Sequence, residues 1–182
     1  MTTSNLIDMG LEWALKAYRG KVDKGGKPYI LHPLRLMARL DDPISQLVAL
    51  LHDVIEDSPI TGDELREAGF PELVVSTVEV LSRRQGETYE AFIDRIRTNP
   101  LARKVKLLDI EDNLNLLRLS AVTDKDLKRG SEVSPRLEKT GLTRSGLNAE
   151  VTDDQTSSSV DNGLLVKIID KSDFGCNYGI QI

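Results

Sequence analysis

Apolar and polar positions over the first two-thirds of the chain follow a helical period, punctuated by glycine and proline. Leu6, Met9, Leu11, Leu15 and Tyr18 recur at spacings near 3.6 residues and predict an amphipathic helix that stops at Gly20. A polar glycine loop, Lys21 to Pro28, comes next. Pro33 suits the first turn of a second helix running to about Leu40. Asp42 and Pro43 read as the cap and first turn of a third. Its body, Ile44 to about Glu56, reads as one helix, apolar on most sides at Leu47-Val48-Ala49-Leu50-Leu51. Thr61-Gly62-Asp63-Glu64 matches a capping box and predicts a short helix to Ala68, ended by Gly69. Pro71 opens another, to Leu81. Thr88 caps one with Phe92, Ile93 and Ile96 on a single face, and Asn99-Pro100 breaks it. Leu101 to about Leu119 is predicted to be the longest helix, and Asp124 to Arg129 begins a last turn or two.

Beyond Gly130 the pattern is lost. Residues 130–163 are rich in Ser, Thr, Gly, Asp and Asn, and cannot bury enough apolar area to offset chain entropy, so this stretch is predicted to be largely disordered. Leu164 to Ile169 is β-branched and strand-like but has no evident pairing partner. The fold class is therefore all-α over residues 1–129, with a weakly structured C-terminal tail over 130–182. Aromatics are 4% of the 182 residues, so the core must be aliphatic. The net charge of −5 argues against binding nucleic acid or an anionic membrane by bulk charge. No apolar run approaches the ~18 residues of a membrane span, and no secretory signal opens the chain, so the expected compartment is cytoplasmic. A single cysteine, Cys176, excludes an internal disulfide and a cysteine-rich zinc site. There are two histidines, His32 and His52.

The densest polar cluster is Leu51-His52-Asp53-Val54-Ile55-Glu56-Asp57. On a continuous helix His52 would share a face with Glu56, and Asp53 with Asp57. Carboxylates at the end of an apolar helix are costly to desolvate unless paired or bound to a cation. A divalent metal on His52 and Asp53 would answer that cost and leave Glu56 and Asp57 to handle a water. A His-Asp dipeptide alone is a weak signal, and an acidic helix end is often only solvated. Two further features add to it. His32 sits at the mouth of a helix in Lys27-Pro28-Tyr29-Ile30-Leu31-His32-Pro33. Asp109 lies among Val105, Leu108 and Leu116 and is expected to point inward, with Asn113 one turn further on. His32, His52, Asp53 and Asp109 would form a mixed imidazole–carboxylate set, which suits Mn, Fe or Zn better than Ca or Mg.

Three blocks in order carry a resemblance: Ala17-Tyr18-Arg19-Gly20-Lys21 with Lys24 to Pro33, Ala49 to Asp57, and Lys106-Leu107-Leu108-Asp109 to Leu114. They are similar to the HD superfamily of metal-dependent phosphohydrolases, and more narrowly to the hydrolase domain of the RelA/SpoT family and its small stand-alone (p)ppGpp hydrolases. The resemblance implies an HD-domain helical bundle in which His32, His52, Asp53 and Asp109 hold one Mn²⁺. It implies that Glu56 and Asp57 orient and activate the attacking water. Lys24 would lie near the phosphates or base, and Asn113 would help hold the nucleoside. The implied reaction removes the 3′-pyrophosphate of (p)ppGpp, giving GDP or GTP and pyrophosphate. The implied partner is a small nucleotide, with no nucleic acid or membrane. Lys27, Arg35 and Lys106 could add positive charge but read as ordinary surface residues. Departures from the family pattern are Asp23 in place of an Arg that stacks on guanine, Tyr18 in place of a His, and Ile110-Glu111-Asp112 where a basic residue and an aromatic or His are usual. They keep open another phosphorylated nucleotide, a dinucleotide cofactor such as NADPH, or a nucleotide-binding regulator without turnover. In relatives the helix near Asp124 continues and packs on the bundle, whereas here Gly130 to Pro135 interrupts it.

Overall fold

The computed structural model describes residues 3–116, 119 and 122–124, and eight helices are assigned among those residues. They are α1 (Thr3–Tyr18), α2 (Leu31–Met37), α3 (Pro43–Leu51), α4 (Val54–Asp57), α5 (Gly62–Glu67), α6 (Glu72–Leu81), α7 (Tyr89–Arg97) and α8 (Pro100–Asn113). Among the described residues the sole β pairing is an isolated antiparallel bridge between Val22 and Pro28. No helix there is long and apolar enough to cross a membrane. The tail expectations, from the turn after Asp124 through residues 130–163 to the strand-like run at 164–169, lie outside the described residues.

Side-chain caps set the helix starts. Asp42 accepts from the Ser45 amide at 2.7 Å, Thr88 from the Ala91 amide at 3.2 Å, and Asn99 from the Ala102 amide at 2.9 Å. Thr61 and Glu64 close the capping box in both directions. Pro43 and Pro100 occupy first-turn positions where a missing amide costs nothing.

The short apolar helix α3 is the centre of the bundle. Ser45, Leu47, Val48, Ala49, Leu50 and Leu51 are all buried, and the helix packs on α1, α2, α6 and α8. Gly10 lets α1 approach closely: a β-carbon there would lie 2.8 Å from Leu47 Cδ2. Leu36, Val74, Val78, Ile93, Ile96 and Val105 complete an aliphatic interior.

Two element boundaries correct the sequence reading. The third helix is not continuous to Glu56: it ends at Leu51, turns at His52-Asp53, and resumes as α4. His52 Nδ1 bonds the Ala49 carbonyl at 2.8 Å, and Asp53 takes φ −106°, ψ 0°, outside helical geometry. The Asp57 amide still bonds the Asp53 carbonyl, at 2.8 Å. The last helix stops at Asn113 rather than Leu119, so α1 is the longest described element. Asp109, Glu111 and Asp112 crowd the end of α8 with negative charge, and no basic residue lies in its last turn. Acidic groups oppose the helix dipole at that end.

The loop between α1 and α2 forms a tight turn. The Asp23 amide bonds the Lys27 carbonyl at 2.7 Å, the Asp23 side chain accepts from the Lys27 amide at 2.9 Å, and Gly26 takes φ +71°. The Tyr29 amide then bonds the Lys21 carbonyl at 2.9 Å. The turn delivers Tyr29 and His32 to the interior.

Candidate metal centre

Three helical segments far apart in sequence meet at one buried point. α2 supplies His32, the α3–α4 turn supplies His52 and Asp53, and α8 supplies Asp109. Each of the four is 2% exposed, which is rare for two carboxylates unless they are compensated. One donor atom each from His32, His52 and Asp109 lies within 4.8 Å of the others. The two imidazoles meet edge-on, with centroids 5.2 Å apart. Asp53 stands beside them, its Oδ2 3.1 Å from His52 Nε2. The Tyr29 hydroxyl donates to that same oxygen at 2.5 Å.

The donor chemistry fits a cation. His52 Nδ1 faces a carbonyl, which only accepts, so in the neutral ring the proton is on Nδ1 and the lone pair on Nε2. His32 Nε2 and His52 Nε2 are both buried without a hydrogen-bond partner. His32 Nε2 is 3.2 Å from Asp109 Oδ1 but not aligned to bond it. Two orphaned nitrogens aimed at two carboxylates are what a mixed N/O ligand set presents.

The charge balance of the site is tight. Burial disfavours the charged His32 ring, but Asp109 and Asp112 override it and lift its pKa to about 9. Burial also opposes ionisation of Asp109, yet the Lys106 ammonium and the two imidazoles hold its carboxyl far below the usual range. Burial, then the Asp53 and Asp57 charges, push the Tyr29 phenol well above its ordinary value, so it stays a donor.

The remaining expected residues have varied surroundings. Glu56 and Asp57 lie half-buried on α4, one turn past the His-Asp pair. Glu56 Oε2 accepts from the Arg83 amide at 3.2 Å, which ties it to the loop after α6. Asn113 Nδ2 donates to Asp109 Oδ1 at 2.6 Å. Lys24 is exposed in the turn before Tyr29. Lys27 is likewise exposed, as a surface residue should be.

Arg35 and Lys106 are not ordinary surface charges. Lys106 is 7% exposed and bonds Asp109 Oδ2 at 2.7 Å. Arg35 bonds both oxygens of buried Asp112, at 2.8 and 2.9 Å, and Asp112 reaches His32 Nδ1 at 2.7 Å. Sequence reasoning also passed over Tyr29 as a partner of the site. The available signal was spacing: Lys106 and Asp112 each stand three residues from Asp109 and so share its helix face.

No protein-family model matches the chain. It is 32% identical over 123 residues to a guanosine-3′,5′-bis(diphosphate) 3′-pyrophosphohydrolase of Aquifex aeolicus, covering 61% of this chain and 18% of that one. It is 33% identical over 129 residues to the protein of the same name from Haemophilus influenzae, covering 64% and 19%. A GTP pyrophosphokinase of Streptomyces coelicolor is 28% identical over 130 residues, covering 64% and 15%. The chain thus spans less than a fifth of the length of these relatives. In three dimensions it is similar to a solved metazoan ortholog of SpoT, described as hydrolysing ppGpp and acting in starvation responses. The TM-score is 0.60 at 20% identity, covering 78% of this chain and 85% of that one. Over 123–129 residues the chain is thus similar in sequence to proteins named guanosine-3′,5′-bis(diphosphate) 3′-pyrophosphohydrolase, and it shares the fold of the metazoan ortholog of SpoT.

Proposed function

We propose that this chain is a metal-dependent phosphohydrolase that removes the 3′-pyrophosphate of (p)ppGpp, with Mn²⁺ held by His32, His52, Asp53 and Asp109. The observation that carries the reading is the pair of buried, unpartnered Nε2 atoms of His32 and His52 facing Asp109. The names of the Aquifex and Haemophilus relatives support the substrate. Iron and zinc are compatible with the same donors. A divalent ion there offsets charge on the phosphoryl oxygens and acidifies water.

The chain's own residues supply the rest. Glu56 and Asp57 orient the attacking water and accept its proton. The water oxygen bonds to the phosphorus attached to the ribose 3′ oxygen, the bond between that phosphorus and the 3′ oxygen breaks, and the 3′ oxygen takes up a proton, giving pyrophosphate and GDP or GTP. Tyr29 keeps Asp53 turned toward the centre, and Asn113 and Lys106 hold Asp109. Lys24 contributes positive charge for the substrate phosphates, and Asn113 helps to hold the nucleoside. This activity would make the protein a cytoplasmic enzyme of stringent-response nucleotides, acting on a small molecule and needing neither nucleic acid nor membrane.

Mn²⁺-loaded protein given ppGpp releases pyrophosphate on this reading. Glu56→Gln retains the metal and loses about 10²–10⁴-fold in turnover. Metal-loaded, folded protein that releases none refutes the substrate assignment. Asp23 favours one second reading, because its carboxylate is committed to the Lys27 amide and supplies no cation to stack on guanine. Another phosphorylated nucleotide, or a dinucleotide such as NADPH, would then be the substrate. A panel of such compounds assayed with the same protein separates the two.

A further inference from the structure

The residue before Asn113, where the sequence departs from its family's pattern, has a definite place in the fold. We propose that Asp112 is a positioning residue that sets the tautomer and aim of His32 toward the metal centre, with Arg35 holding Asp112 in place. The inference rests on the metal site of the proposed function and not on the identity of the substrate.

Asp112 is 8% exposed and carries three close contacts across the α2–α8 interface. Arg35 Nε donates to Oδ1 at 2.8 Å and Nη2 to Oδ2 at 2.9 Å, a fork that fits a carboxylate plane. Oδ2 also meets His32 Nδ1 at 2.7 Å. Both Asp112 oxygens accept from the Arg35 fork, so the side chain meets Nδ1 as an acceptor. Nδ1 of His32 is therefore the donor. In the neutral ring that a metal requires, the one proton is on Nδ1 and the lone pair on Nε2, the atom that is buried and unpartnered beside Asp109. His52 reaches the same state by another route, through its own helix carbonyl. The lone pairs of both rings are thus fixed by partners behind them, an arrangement that orients imidazole ligands and raises their basicity.

The test uses the full chain, with Mn²⁺ affinity measured calorimetrically and Zn²⁺-loaded, ¹⁵N-labelled protein read by NMR. Asp112→Ala weakens Mn²⁺ binding about 10–100-fold. Asp112→Asn, which keeps an acceptor oxygen, loses less, and Arg35→Ala loses affinity in the same direction. In the Zn²⁺-loaded parent the His32 proton is on Nδ1 and absent from Nε2. Circular dichroism checks folding, and Asp112→Asn carries the comparison if the alanine variant does not fold. Folded Asp112→Ala or Asp112→Asn with parental Mn²⁺ affinity overturns the proposal, as does a proton on His32 Nε2 in the Zn²⁺ form. A mere tie between α2 and α8 would lower the melting temperature and leave affinity unchanged. A parent that binds no metal overturns this proposal together with the metal site. Binding and NMR as expected, without pyrophosphate release, upholds it and refutes only the substrate.

Discussion

Replacing Lys106 with methionine removes a charge from the wall of the site and keeps most of the apolar stem. Lys106 Nζ lies 2.7 Å from Asp109 Oδ2 and 5.6 Å from the centre of the Phe92 ring, with both members of the ion pair below a tenth exposed. At that separation the Coulomb attraction is about 6 kcal/mol for an effective dielectric constant near 20. Desolvation of the ammonium cancels part of it. Breaking a buried pair by removing one partner typically costs about 3–5 kcal/mol, because the remaining charge is stranded. Urea slopes of about 1–3 kcal/mol per molar convert this into a midpoint lowered by roughly 1–5 M. Lys106→Met should therefore unfold at clearly lower urea than the parent, followed by circular dichroism with chelator present. Asp109→Asn in the same background should recover part of the loss, since the stranded charge is gone, with a coupling above about 1 kcal/mol. An unchanged midpoint and slope for Lys106→Met would refute the claim that this ammonium neutralises Asp109.

Tyr29→Phe removes the hydroxyl that bonds Asp53 and should cost about 1.5–3 kcal/mol, as a hydrogen bond to a charged group does, measured by thermal unfolding. Glu87 lies in the α6–α7 loop, and its bond from Arg95 draws its pKa from 4.5 to about 2 against the effect of burial, with the Arg84 amide assisting. Because the folded value is below the unfolded one, its stabilisation is complete above about pH 4.5 and is lost as the pH falls toward 2. Glu87→Gln should flatten that part of the acid-unfolding curve, and a curve as steep as the parent's would dismiss the pair's role. Thr61→Ala opens the capping box of α5 and should cost about 1 kcal/mol in chemical denaturation.

Features that depend on near neighbours were legible in the sequence. Asp42, Thr61, Thr88 and Asn99 cap the helices expected of them, and the inward face of α7 is Phe92, Ile93 and Ile96. Placement of His32, His52 and Asp109 in one buried group also follows the expectation, because scarce histidines beside apolar helix faces leave few alternatives. The break at His52-Asp53 was not legible, since Leu51 to Asp57 contains neither glycine nor proline. Its cause is a ring nitrogen taking a carbonyl of the preceding turn. Arg35 looked like a surface charge because its pairing with Asp112 spans 77 residues. Asp23, unexpected for its sign, is explained locally by its bond to the Lys27 amide.

The centre gathers its side chains from α2, from the α3–α4 turn and from α8, with Asp109 arriving 77 residues after His32. During synthesis the growing polypeptide therefore carries both histidines long before it has the carboxylate that completes the trio. The trio is complete only once α8 has docked, so an ion held by all three side chains would bind after that helix has joined the bundle.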